Sequence, residues 1–463
     1  MKQERKEFMK TKTYQYDVAV IGGGPAGLSA ALSAARHGSK VIILERNDYL
    51  GGNAVSGLPF LGFLDKQGRQ VIGGIAQEMM DALTELGMCL GHNRCPLHNS
   101  VTVFHPDIFK VIAMKKCQEA GIHVLLHCEL VDVNIENRRI TQVSVMGKGM
   151  RADIKASVFI DGTGDGDVAY LAGCSYEKGQ ADTGLMQPPT LMFSLCGFNE
   201  EEFFNYLEEH PEDLKPSESM QVSKGYDVPY FKSHPSYVFL GLRSKLAELK
   251  KEGKNPLSRD TLIYINSVNP GQIYVNTTRI LNFDGTDLDE LTRGEQEGME
   301  QIMQLMKLLK NEIPGFENSY ISSINPTMGV RETRRFSGVK RLVIDDVVKG
   351  YIPADTIALG SYKVDIHSAV DDSTILTDLE GPYGIPLGCL ISNEVDGLLL
   401  SGRNISMDAY SLGSARIMPT CMAIGEAAGI CAALSVERGI LPAEIPYEDV
   451  VALLKEANAI LSV

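Results

Sequence analysis

The sequence predicts an α/β protein: a parallel sheet with an attached β-meander, interrupted by an inserted α+β domain. Three observations predict it. A strand, a glycine-rich turn, a helix and a second strand follow one another between Asp17 and Glu45. A second strand runs into a glycine-rich loop at Ser157–Asp167. After a stretch of different character, a third apolar strand ends in glycine at Gly402 and leads to a helix of small residues. These place a basic tail at 1–13, the first part of the parallel-sheet domain at 14–174, an inserted cap at 175–327 and the return at 328–463. A chain of 463 residues, at about 150 per domain, has room for this plan.

Asp17-Val18-Ala19-Val20-Ile21 is a short β-rich run suited to a buried parallel strand. It enters Gly22-Gly23-Gly24-Pro25-Ala26-Gly27, a G-x-G-x-x-G, and then an alanine-rich helix ending at Gly38. Lys40 to Leu44 is the second strand, with Glu45 at its end. Each part has a physical task in a Rossmann-like dinucleotide site. Gly22 permits the tight turn, Gly24 lets a pyrophosphate approach the backbone, and Gly27 lets helix and strand pack closely. The helix N-terminus offers free N–H groups and partial positive charge to phosphate. Glu45 suits the ribose hydroxyls and would repel a 2′-phosphate. The motif by itself leaves NAD and FAD both open.

Composition narrows the class. Hydrophobic residues make up 44% and charged residues 22%, ordinary for a globular protein. The net charge of −15 disfavours general binding to nucleic acid or anionic membrane, so an anionic substrate must be met by local cations. With no Trp, an indole stacking platform is excluded. The nine Cys form no C-x-x-C pair, which removes thioredoxin-like and ferredoxin-type arrangements and suits a reducing cytoplasm. A basic start followed by the charge-free stretch Val18–Ala35 imitates a signal peptide, but Gly22, Gly23, Gly24, Pro25 and Gly27 would break its helix. No membrane span and a cytoplasmic location are expected.

Ile122 to Cys128, Glu129 to Glu136 and Arg138 to Met146 read as three strands, with a tight turn at Asn137-Arg138. Ser157 to Asp167 then gives strand and D-G-T-G loop. In the inserted region, Glu200–Glu208 is amphipathic, Pro211–Gly225 is loop-like, Tyr237–Gly253 reads as a helix, and Gly271–Leu281 as a strand carrying Tyr274, Asn276 and Arg279. Leu291–Leu309 is a long helix whose stripe of Met299, Ile302, Met303, Met306 and Leu309 is expected to fill the core. The chain returns through Gly397–Asn404 and a helix from Cys421 to Leu434, with Pro419 in its first turn.

These segments together resemble the bacterial FAD-dependent oxidoreductase family, with an FAD domain like those of glutathione reductase and fumarate reductase. GGGPAG with Glu45, LGGNA, IDGTGDGDVAYLAG, MGVRETRR, SYKVDIH and LLLSGRN…GSARIMPTCMAIGEAAG carry the resemblance over nearly the whole chain. The flavin part is also similar to the flavoprotein component of heterodisulfide reductase, whose iron–sulfur cysteine runs have no counterpart here. The resemblance implies FAD and assigns to it Gly22, Gly24, Pro25, Ala26, Gly27, Glu45, Arg46, Gly52, Asn53, Val131, Asp161, Gly164, Gly402, Arg403, Met418 and Thr420. Asn53 stands where some relatives attach flavin through His, so the FAD is expected to be non-covalent. The helix after Pro419 would aim its dipole at the flavin N1–C2=O edge, and its small residues also suit plain close packing. Many relatives place G-D on the preceding strand; here Gly402 is followed by Arg403.

Three clusters are candidates for chemistry. In Ser361–His367 an extended chain would put Lys363, Asp365 and His367 on one face, with His367 as proton donor or acceptor and Lys363 holding an anion. The competing reading is a half-exposed strand with a solvated ion pair. On a helix, Arg331, Arg334 and Arg335 would share a face able to grip a carboxylate, or they would tie the cap to the FAD domain. His92, Cys95 and His98, with His105 beyond, match no zinc module, and are read as a loop lending side chains to the cap or the active-site mouth, with no metal.

The expected function is hydride transfer between flavin N5 and a small polar or anionic organic substrate. The alternative is an electron-transfer subunit serving a separate iron–sulfur or ferredoxin-like protein. No second G-x-G-x-x-G is present, so an integral NAD(P)H domain is not expected. The oligomeric state is left open.

Overall fold

The computed structural model describes residues 10–463 apart from Asp182 and Ser258, so residues 1–9 of the expected tail lie outside the described residues. Val18–Ile21 is the centre of a five-stranded parallel sheet. The order across it is Leu398–Leu400, Val158–Asp161, Val18–Ile21, Val41–Leu44, His123–Leu125. Every residue of the first four of these strands is buried, which is why they read as continuous apolar runs.

The meander consists of Glu129–Glu136, Arg139–Gly147 and Met150–Lys155, paired antiparallel. Asn137 and Arg138, at φ 50° and 67°, make the tight turn between the first two, the left-handed pair that a two-residue hairpin requires. The expected strand Ile122–Cys128 is shorter, His123–Leu125, and belongs to the parallel sheet instead. Residues 10–13, read as tail, are part of a strand, Lys10–Gln15, that pairs parallel with Met150–Lys155. Its polar, exposed residues carry no hydrophobic alternation, as befits a charged edge strand.

The inserted layer is an antiparallel sheet in the order Val238–Gly241, Leu262–Asn266, Gln272–Val275, Phe193–Cys196, Tyr320–Ile324. One face, with Phe239, Tyr264 and Phe193, packs on Glu200–Glu209 and Leu288–Glu312 in an aromatic core. The expected helix Tyr237–Gly253 is a strand followed by a helix, Arg243–Lys251, divided at Leu242, whose φ of 64° ends both periodicities. The long helix starts earlier than expected, where the Asp287 side chain accepts from the Asp289 and Glu290 N–H groups. Ile302, Met306 and Leu309 are buried on it, but Met299 and Met303 are 51% and 62% exposed, so the methionine stripe is only partly core.

The small-residue helix, followed by a last helix, Tyr447–Glu456, runs Met418–Arg438, three residues earlier than the small-residue run suggests. It is long and apolar enough to cross a membrane, but 89% of its apolar window is buried inside the fold. It crosses Pro25–Arg36 at van der Waals distance: a Cβ on Gly425 would lie 2.0 Å from the Ala26 carbonyl oxygen, and one on Gly429 2.4 Å from that of Ala30. Close packing therefore accounts for its glycines. The same crossing brings the N-termini of both helices to one side of the parallel sheet.

Candidate functional site

That side holds a groove of about 900 Å³ lined by the strand ends and both helix N-termini. Gly22, at φ 96°, turns the chain where a Cβ would strike the Gly162 carbonyl oxygen at 2.4 Å. A Cβ on Gly27 would sit 1.9 Å from the Gly22 carbonyl oxygen, so this glycine fixes the turn against the helix. Gly24 differs: a Cβ there would meet nothing within 4 Å and would project into open space. Neither Pro25–Arg36 nor Met418–Arg438 has a side-chain cap, which leaves their first N–H groups available to an anion. Glu45 is 6% exposed, accepts from the Gly23 N–H at 2.7 Å and from the Asn47 N–H at 2.8 Å, and so clamps the glycine turn as well as lining the groove. An open cradle at Gly24, two uncapped helix ends and an acid at the strand tip fit a dinucleotide diphosphate.

Of the residues assigned to the cofactor, Gly22, Gly24, Pro25, Ala26, Glu45, Arg46, Gly52, Asn53, Gly164, Gly402, Arg403 and Met418 line this groove. Four do not. Gly27 acts through packing. Val131 is 40% exposed on a meander strand. Asp161 is fully buried, its carboxylate accepting from the Thr163 hydroxyl at 2.6 Å and the Ala169 N–H at 2.9 Å, so it orders the loop beneath the groove. Thr420 is fully buried in the first turn of the helix Met418–Arg438. Arg403, in place of the more usual acid, pairs with Asp165 at 3.0 Å and donates to the Val330 carbonyl oxygen at 2.6 Å.

A second cavity opens beside the groove, between the cap sheet and the parallel-sheet domain, and shares Asn53, Val330, Arg403, Arg416 and Met418 with it. Its polar side is organised by Asp365. One carboxylate oxygen faces His367 Nε2 at 3.3 Å, and the other accepts from the Tyr362 hydroxyl at 3.1 Å with Arg416 at 3.6 Å. Burial favours the neutral acid, but His367, Arg416 and His98 more than offset it and hold Asp365 below the usual carboxylate range. Burial pushes His367 down to about 3 despite the neighbouring Asp365, so the imidazole is neutral at neutral pH. Its Nδ1 lies 3.3 Å from Arg279 Nη1 and 3.2 Å from the Thr374 hydroxyl. His367 thus reaches the cavity wall with both ring nitrogens engaged by protein.

Of the expected Lys363–Asp365–His367 face, Asp365 and His367 come together on the cavity wall and Lys363 does not join them. Lys363 lies one residue before the strand Val364–His367 and is fully buried, donating to the Gln221 carbonyl oxygen and pairing with Asp378 at 3.1 Å, away from the cavity. The arginine run forms no helix either; Arg334–Phe336 is a short strand. Arg334 pairs with Asp167 at 3.0 Å and lies over the Tyr170 ring, and Arg335 pairs with Glu332 at 2.5 Å, so both are structural. Only Arg331 lines the cavity. Its Nη1 donates to the Pro188 carbonyl oxygen at 2.7 Å and the Thr190 hydroxyl at 2.8 Å, and burial pulls its pKa down to about 9, still cationic at neutral pH.

Sequence reasoning missed Arg259, which lines the same cavity, is 7% exposed, and buries its Nε without a hydrogen-bond partner among the described residues. Burial draws its pKa down to about 9 as well. Nothing in Asn255–Asp260 marks it, since a lone arginine in a polar connection is ordinary. His98 is the other cavity residue of interest. Its ring stacks on Tyr362 at 5.9 Å, its Nδ1 is buried without a partner among the described residues, and burial lowers its pKa to about 4. His92 instead bonds Thr102 and Gln77, and among the described residues no group of three or more metal-ligating side chains converges.

The family model described as FAD dependent oxidoreductase matches residues 17–454. The chain is 33% identical over 137 residues to the thiamine thiazole synthase of Aeropyrum pernix, covering 29% of this chain and 45% of that protein. It is 28% identical over 156 residues to the digeranylgeranylglycerophospholipid reductase of Methanoculleus marisnigri, covering 32% and 39%. The chain thus spans less than half the length of these relatives. A geranylgeranyl bacteriochlorophyll reductase-like protein of Thermoplasma acidophilum superposes with a TM-score of 0.43 at 13% identity, over 96% of this chain and 84% of that one. Because the family model runs almost from end to end, the chain belongs to the FAD dependent oxidoreductases, and its cofactor is FAD.

Proposed function

We propose that FAD lies in the groove at Gly22–Gly27 and that the enzyme transfers a hydride between flavin N5 and a small anionic organic substrate in the adjoining cavity. The observation that carries this reading is Arg259, more than nine-tenths buried on the wall of a cavity that opens into the groove, its Nε without a hydrogen-bond partner among the described residues. A buried cation without a partner is costly, and an anionic ligand removes the cost. FAD, when bound, supplies the hydride acceptor or donor. The chain's own residues do the rest. Arg259 and Arg331 hold the anionic group, and the cavity keeps water from it. His98, neutral and with an unpartnered nitrogen, takes the proton of a substrate hydroxyl as the adjacent carbon is oxidised, or returns it in reduction. His367 and Tyr362 fix Asp365, whose negative charge favours the protonated form of His98.

Anaerobic mixing of the holoenzyme with a panel of hydroxy and unsaturated acids tests the reading. Bleaching of the flavin by a small acid, or reoxidation of reduced flavin by one, is expected. Electron exchange with a ferredoxin-like protein alone would instead favour the electron-transfer role.

Two predictions concern the cofactor. Glu45→Ala removes charge-assisted bonds worth about 1.5–3 kcal/mol, so FAD affinity measured by titrating apoprotein should fall about tenfold or more. Affinity equal to that of the parent would place Glu45 outside cofactor binding. Acid precipitation should release all yellow colour to the supernatant, because the Asn53 amide is no nucleophile; colour in the pellet would show a covalent link.

A further inference from the structure

The cavity beside the groove has two chemically distinct sides. Adjacent cap strands pair Val238 with Ile265 and Leu240 with Ile263, and all four side chains line it, while the alternate residues Phe239 and Tyr264 belong to the aromatic core behind. The period-two alternation of a strand thus presents an unbroken aliphatic patch to the cavity. Met220 and Leu376 extend the same apolar cluster, with Leu58 from the parallel-sheet domain packed against it. None of these side chains carries a group able to satisfy a buried hydroxyl or a second charge. The same cavity is lined by Arg259, Arg331 and Arg416, and the charges of Arg416, Arg279 and Arg259 all act on Arg331, as does that of Asp365. Arg416 is committed to Asp365 and Arg279 to the Ser368 and Ser373 carbonyl oxygens, which leaves Arg259 and Arg331 with donors to spare.

We propose that the cavity takes an amphipathic carboxylic acid, its carboxylate held by Arg259 and Arg331 and an apolar body of several carbons packed on Val238, Leu240, Ile263 and Ile265. This rests on the reading of the cavity as the substrate site and names the class of substrate. A carboxylate has acceptor sites enough to take N–H donors from both guanidiniums. A short dicarboxylate would have to bury its second charge against the aliphatic patch, which the patch cannot compensate.

Straight-chain carboxylates from butanoate to octanoate, titrated into the FAD-loaded enzyme by calorimetry and by flavin difference spectra, test it. Affinity should rise about fourfold per methylene until the cavity is full. Succinate and hexanamide should each bind at least about tenfold more weakly than butanoate and hexanoate respectively. Arg259→Gln should erase the preference for hexanoate over hexanamide while keeping the dependence on chain length, and Ile263→Asn should flatten that dependence. No gain with chain length, or tightest binding by succinate, would overturn the proposal whether or not either variant folds. Chain-length-dependent heat with an unperturbed flavin spectrum would support the ligand class and refute the placement of the substrate beside the flavin.

Discussion

Gly24→Val is expected to give a folded protein that purifies without flavin. The backbone at Gly24 has φ −68° and ψ −176°, a conformation open to any residue, and a Cβ there would point into open space with no atom beyond its chain neighbours within 4 Å. Folding has no reason to suffer. The isopropyl group fills instead the space through which a pyrophosphate must approach the helix N-terminus. FAD affinity should fall by about 100-fold or more, a loss of about 2.7 kcal/mol, with the thermal midpoint of the apoprotein close to that of parent apoprotein. Gly27→Val is the control of opposite sign, since its Cβ would lie 1.9 Å from the Gly22 carbonyl oxygen and the fold itself should fail. A yellow Gly24→Val protein would show that the diphosphate does not pass this residue.

His98→Gln should retain FAD and its spectrum but lose about 10²–10⁴-fold in turnover, the span expected for removal of a general base. In the direction of substrate oxidation the neutral imidazole is the active form. With its pKa lowered to about 4, the rate should hold steady from neutrality downward and fall as pH drops through about 4. The groups that set this value are the burial itself, Asp365, which raises it, and Lys363, which lowers it. The acid limb should vanish in His98→Gln. In His367→Ala it should persist but move, because that variant disturbs Asp365 and not the proton acceptor. Near-normal turnover by yellow His98→Gln protein would end the assignment.

The nucleotide half of the site was legible because its determinants are local. A glycine turn between an apolar strand and a helix, with an acid one strand later, is specified within thirty residues. Asp161 shows the limit of that logic: the D-G-T-G loop was recognised, yet the carboxylate serves Thr163 and Ala169 from below and does not line the groove. The adjoining cavity, the proposed catalytic half, was poorly legible because it is assembled from distant segments. His98 comes from a hairpin, Arg259 from a cap connection, Arg331 from the return, and Asp365 and His367 from a short strand. Alternation from Lys363 onward failed for a local reason, since the strand begins only at Val364 and Lys363 turns toward Asp378. Tyr237–Gly253 was misread because an apolar strand ending at Gly241 runs into an amphipathic helix with a single residue between them, and Leu242, an ordinary helix former, makes the turn in a left-handed conformation.

The central sheet places Leu398–Leu400 next to Val158–Asp161, itself next to Val18–Ile21, although most of the chain separates the outer two. Such pairings carry the greatest loop-closure entropy in the molecule and reward it last. The cap sheet, closed within Phe193–Ile324, needs no such contact. During synthesis the groove therefore stays incomplete until Ser401–Cys421 has left the ribosome and the glycine face of Met418–Arg438 has met Pro25–Arg36. Until then the nascent protein carries an early-folded cap between two halves of an open sheet, whose unpaired edges are the surface a chaperone must shield.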